Sequence, residues 1–187
     1  KENLADINSQ IDTLLSKGSL TFVEEQELQK LREQKALLQD TIALNEKQVK
    51  QQKETYLSAK KKAYDSSSDF DNTPYKLGDS DSISTLIYEL KEMNGRQIAT
   101  NFDEITQSLE RMRKEGYKGS LLDEVKDFVD EKLDSQRTLY SDYLNDVEKN
   151  AGSDNPLYKE IRDDYISFLK DLGDNATISN YMDGLTE

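Results

Sequence analysis

The sequence predicts an all-α fold: a helical hairpin with a long coiled-coil arm, followed by a small acidic helical bundle. Three observations lead there. Gly (8) and Pro (2) are scarce in 187 residues, well under the roughly 12% that average usage would supply. Apolar residues recur at spacings of three and four, the period of a helix face. No run of Val, Ile and Thr alternates with period two, as a half-buried strand would. Only 34% of residues are hydrophobic and as many are charged, with a mean hydropathy of -0.88. A chain so lean in apolar residues yet helical in period suits elongated helices, each hiding a narrow seam, better than a round core or a disordered coil.

Three regions are expected: a hairpin over 1–65, a linker over 66–81 and a bundle over 82–187. Charge supports the division. Residues 1–65 carry 11 basic and 11 acidic side chains, so the whole net charge of -13 falls beyond Asp65.

The hairpin begins with Leu4, Ile7, Ile11 and Leu14 on one helix face. Gly18 suits the left-handed conformation that closes a helix. Thr21-Phe22-Val23-Glu24 has the pattern of a capping box, in which the Thr hydroxyl and the Glu carboxylate each satisfy an orphan amide. Leu20 is placed to staple this start. The connection is short, so the two helices should lie antiparallel.

The long arm keeps a 3-4 repeat for about five heptads, the mark of a left-handed coiled coil. Its a positions are Leu28, Lys35, Ile42, Val49, Tyr56 and Ala63; its d positions are Leu31, Leu38, Asn45, Gln52 and Ala59. The expected packing seam is Leu28, Leu31, Leu38, Ile42, Val49 and Tyr56. A helix over 22–64 would be roughly 65 Å long, and the short first helix covers only its first third. The rest of the seam is expected to pack on the second module or on another chain. Lys35, Asn45 and Gln52 interrupt it, either as devices that fix register or as tolerated wet positions.

Ser, Asp, Asn, Pro and Gly cluster over 66–81, which reads as a solvated linker. The bundle follows. Ile83, Leu86, Ile87, Leu90 and Met93 form one face; Ile98, Phe102, Ile105, Leu109 and Met112 form another. Asn94-Gly95 between them fits a turn or a glycine inside one helix. Gly116-Tyr117-Lys118-Gly119 breaks the pattern, and Ser120 is placed to cap the next helix, with Asp123 and Glu124 in its first turn. That helix buries Leu122, Val125, Val129, Leu133, Tyr140, Leu144 and Val147 and ends near Ala151-Gly152. Asn155 as N-cap and Pro156 at the first helical position start another, lined by Leu157, Ile161, Tyr165, Phe168, Leu169 and Leu172. Gly173 closes it, and a last short helix is expected around Ile178–Met182.

The composition also excludes chemistry. The chain has no Cys and no His, hence no disulfide, thiolate zinc site, cysteine nucleophile, imidazole base or Ser-His-Asp triad. Asp65, Asp69, Asp71, Asp79 and Asp81 lack the ligand spacing and closing Glu of a calcium loop. Asp163-Asp164 and Asp123-Glu124 are sequence neighbours that point to different sides of a helix, a poor start for paired catalytic carboxylates. The basic stretch Lys47, Lys50, Lys53, Lys60, Lys61 and Lys62 could touch phosphate, but it has no Arg and no groove, and attraction to the acidic module is the simpler account. No catalytic residue, metal or cofactor is therefore expected, and neither nucleic acid nor a membrane segment. The chain starts at Lys1 with no signal-peptide pattern, as expected of a processed chain or a piece of a longer one.

Ile7 to Gln34, through Ser16-Lys17-Gly18-Ser19-Leu20-Thr21-Phe22-Val23-Glu24-Glu25-Gln26-Glu27, followed by Leu37-Leu38 and Ile42-Ala43-Leu44, resembles a segment of the tail tape-measure proteins of long-tailed phages and prophages of Gram-positive bacteria. The resemblance covers about 1–65. It implies a non-enzymatic structural part of a virion, present in the phage tail or, during assembly, in the host cytoplasm. Its partners would be copies of itself or other tail proteins, met along the helical seam, and its task tail assembly and length determination. The alternative is a coiled-coil binding module of a bacterial surface or secreted protein.

Overall fold

The computed structural model describes residues 3–78 and 82–173. Among them are seven α-helices, one 3-10 turn and no strand, so the chain is all-α. None of these helices is long and apolar enough to cross a membrane. The helix expected near Ile178–Met182 and residues 79–81 of the expected linker lie outside the described residues.

The chain divides into two compact units, Lys1–Thr55 and Tyr56–Glu187. The first holds α1 (Leu4–Leu15) and most of α2 (Phe22–Ser66). Asn3 caps α1 through a reciprocal box with Asp6, the side-chain oxygen accepting from the Asp6 amide at 2.9 Å. Gly18 takes φ +75° at the turn. The Thr21 box forms as expected: the Thr21 amide donates to the Glu24 carboxylate at 2.9 Å, and the Glu24 amide to the Thr21 hydroxyl at 3.3 Å. Ile7, Ile11 and Leu14 pack with Leu28 and Leu31 in a small core that Leu20 and Leu38 flank.

The second unit comprises the end of α2, a 3-10 turn at Ser68–Phe70, α3 (Ile83–Glu92), α4 (Gly95–Thr100), α5 (Phe102–Lys114), α6 (Gly119–Ala151) and α7 (Pro156–Asp171). The boundary expected near Asp65 thus falls at Thr55/Tyr56, inside α2. The charge step after Asp65 marked where the acidic helices begin; the packing unit also includes the last basic turns that pair with them.

The axis of this unit is α6, whose expected face is buried throughout, with Gln136 as an additional member. Helix α7 starts as the sequence implies: Asn155 accepts from the Tyr158 amide at 2.8 Å, and Pro156 stands at the first position. The start of α6 differs. Gly119 is its first residue, and Lys118 precedes it with no side-chain cap, so Ser120 lies within the first turn.

Gly95 is the first residue of α4, which Asn94 caps in a box with Gln97. The chain therefore breaks at Met93-Asn94, and again at Asn101. A side chain at Gly95 would meet Gln136 Cβ at 2.5 Å and the Lys132 carbonyl at 2.8 Å. The glycine here serves close approach of α4 to α6.

The segment after α2 is not a solvated linker. Phe70 is buried between Tyr64, Tyr140 and Tyr143, with ring centroids 4.6, 5.1 and 4.8 Å away. Its backbone carbonyls are taken in order by amides from the α4 region. Asn94 donates to Ser68 and Asp71, Gln97 to Thr73 and Asn101 to Tyr75, at 2.7–2.9 Å. Turn-forming composition excluded a long helix here, and it said nothing against burial of Phe70 or the packing of Tyr75 against the core.

Candidate interaction surface

The six expected seam residues meet four different fates. Leu28 and Leu31 are buried under α1, and Leu38 is half-buried at the margin of that core. Ile42 and Val49 are exposed, at 39% and 63%. Tyr56 is half-buried in the second unit and donates its hydroxyl to Asp146 at 2.7 Å. This chain itself covers Leu28 and Leu31 with α1 and Tyr56 with the second unit, so only the middle of the seam is left uncovered. The reason is reach: α1 has only 12 residues, about 18 Å of helix, and the bundle takes up α2 again at Tyr56.

Between these ends, every residue from Gln39 to Gln52 is exposed. This is helix without tertiary cover, and it is not uniformly polar. At about 100° per residue, every charge from Lys35 to Glu54 falls on one side of α2, and an arc of about 180° from Gln51 round to Ile42 holds none. Two apolar lines edge that arc: Leu38, Ile42 and Val49 on one side, Leu37 and Leu44 on the other. Leu37, Leu44 and Val49 are 56–68% exposed. Asn45, Gln48, Gln52 and Thr41 lie between the lines. The sequence listed the apolar positions; it did not display the charge-free arc until the residues were set on one helix.

The second unit holds a buried polar network that the sequence reading missed. Arg96, 8% exposed, pairs with Asp164 at 3.1 Å and with Asp171 at 3.7 Å, and donates to Ser167 at 3.3 Å. Tyr64 and Tyr140 both donate to the same Asp164 oxygen, Tyr140 at 3.0 Å. Burial pushes both tyrosine hydroxyls well above their ordinary range, and Asp164 adds to the effect. Its two oxygens are spent on a guanidinium and two phenols, so Asp164 braces three helices and is not a free base. The network links residues up to 100 positions apart, beyond the reach of any spacing rule.

Two lysines at the end of the basic stretch, Lys60 and Lys61, pair with carboxylates of the second unit. Lys60 meets Asp146 at 2.7 Å and stands over the Tyr143 ring, 4.1 Å from its centre. Lys61 bridges Glu160 at 3.0 Å and Asp65 at 3.2 Å. Asp146 in turn is held below the usual carboxylate range, first by Lys60 and then by Tyr56. Asp71, one of the acidic run, accepts from the Thr73 amide and hydroxyl, which lowers its pKa. Among the described residues no three carboxylates gather in a way that could hold a metal ion.

Several clefts open on the second unit. A groove of about 290 Å³ between α5 and α6 has Phe102, Ile105, Leu109, Leu122 and Val129 on its floor. Another, about 630 Å³, opens beside Tyr64, Asp65, Asp71, Glu160 and Asp164. Neither brings an activated nucleophile beside a free base. Comparison of the chain with protein-family models, curated proteins and solved structures finds no match.

Proposed function

We propose that the chain is a non-enzymatic structural segment that works by packing α2 against other helices, as part of a phage tail tape measure. The observation that carries the packing role is the uncovered helix from Gln39 to Gln52 with its exposed Ile42, Leu44 and Val49. An isolated helix of this size is marginal in water, and one that exposes apolar side chains along one side gains most from a second helix laid there. The tape-measure reading adds the resemblance over residues 1–65. A helix of 45 residues spans about 68 Å with a fixed rise of about 1.5 Å per residue, which suits a part that transmits length.

The test is made in the phage. In-frame removal of two heptads from the middle of α2, residues 39–52, should shorten the tail by about 21 Å, read by averaging tails in electron micrographs. Peptides of the chain should also appear in purified virions. Tails of unchanged length in particles that contain the shortened chain would remove the proposal. Recovery from the cell wall or culture medium, and never from virions, would favour the surface-protein alternative.

A further inference from the structure

The uncovered face of α2 restricts what can lie on it. It carries no charge, so a partner that docks through an acidic or basic stripe gains nothing there. Its two inner amide residues, Asn45 and Gln52, recur at d positions seven residues apart, Asn45 between the apolar layers Ile42 and Val49 and Gln52 just after Val49. A carboxamide both donates and accepts, so its best match in a partly dry layer is a second carboxamide. We infer that the occupant is a second copy of this chain, packed parallel and in register, with Asn45 against Asn45 and Gln52 against Gln52.

In this register each apolar layer also meets itself. Within the uncovered stretch the flanking positions agree: Thr41 comes opposite Glu46 of the second copy, and Gln48 opposite Lys53, so no like charges are opposed there. Antiparallel registers do worse. They set Ile42 against Asn45 or Gln52, at the cost of an unpaired amide. The one that pairs Leu38 with Ile42 sets Asn45 against Lys35 and Gln52 against Leu28, so neither carboxamide meets another. Asn45 thus acts as a register device, at some loss of stability. This inference rests on the packing role proposed above and adds the partner's identity and direction.

The chain has no cysteine, so single-cysteine variants of the whole chain report register directly. In a glutathione redox buffer, Asn45→Cys and Gln52→Cys should each form disulfide-linked pairs, at least ten times faster than Lys47→Cys on the charged side. Only a parallel, in-register pair lets two different positions each meet themselves; an antiparallel pair has a single self-opposed point. Sedimentation of the unmodified chain should show mass rising with concentration, and Leu38→Asp, on an already half-exposed site, should abolish the rise. Disulfides at one position only would overturn the parallel arrangement. A single-chain mass at millimolar concentration, with no disulfide at either position, would overturn the second copy as occupant. Either failure leaves the tail-length experiment to judge the wider role by itself.

Discussion

Helix α2 contains two stretches in opposite circumstances. From Gln39 to Gln52 every side chain is exposed. From Tyr56 to Ser66, Tyr64 is buried, Leu57 packs on the core, and Tyr56, Lys60 and Lys61 reach carboxylates of α6 and α7. Both stretches continue the same 3-4 repeat. The difference teaches that a sustained repeat names the side of a helix that seeks cover, while the covering element is chosen elsewhere in the chain. In the second stretch the cover is aromatic and ionic; in the first the described residues supply none.

The largest effect that would break this contrast lies at Asp164. Asp164→Ala leaves Arg96 with a weaker partner and two buried phenols unpaired, and should cost about 3–5 kcal/mol. All ten tyrosines lie in the second unit, so urea unfolding followed by tyrosine fluorescence reports that unit specifically. A loss below about 1 kcal/mol would mean the network decorates the bundle and does not brace it.

The next comparison sets one buried residue of the former linker against one exposed residue of the seam. Phe70→Ala should cost about 3 kcal/mol, through lost burial and a cavity between three tyrosine rings. Val49→Ala, at micromolar protein concentration, should stay within about 0.5 kcal/mol. Chemical denaturation read by circular dichroism checks both. Equal effects at the two positions would erase the distinction between covered and uncovered lengths of α2.

A smaller effect concerns pH. Burial, then Asp146, pushes Tyr56 up to about 12, and Tyr64 and Tyr140 are raised further. Because the folded-state pKa lies above the ordinary value near 10, this stability is fully present below about pH 10. It is lost as pH rises through about 10 and toward the raised values. The urea midpoint should therefore fall above about pH 10, and the fall should be shallower in Tyr64→Phe. An identical pH profile in that variant would show that its phenol contributes nothing to the dependence.

Much of the scaffold was legible because helix signals are local. Thr21 with Glu24, Gly18, and Asn155 with Pro156 each act within a few residues, and each does in the structure what its spacing implies. The apolar face of α6 was equally plain, except for Gln136, which polarity alone would place outside. Phe70 was hidden by its neighbours: Ser, Asp and Asn describe backbone preference, and burial of one ring depends on amides at Asn94, Gln97 and Asn101 that take up the segment's carbonyls. At the candidate surface, Ile42 and Val49 were found by period, but their exposure could not be, since period is blind to which neighbours arrive.

The sequence by itself determined that this chain is helical, where most helices begin and end, and which side of each is apolar. Those properties follow from backbone sterics, capping and a 3.6-residue period, all decided within a turn or two. Only the tertiary structure decided that α2 goes uncovered from Gln39 to Gln52, that the segment around Phe70 folds into the core, and that Arg96 and Asp164 meet across 68 positions. Such outcomes depend on distances between segments, and burial rewards whichever pairing the whole chain can bring together.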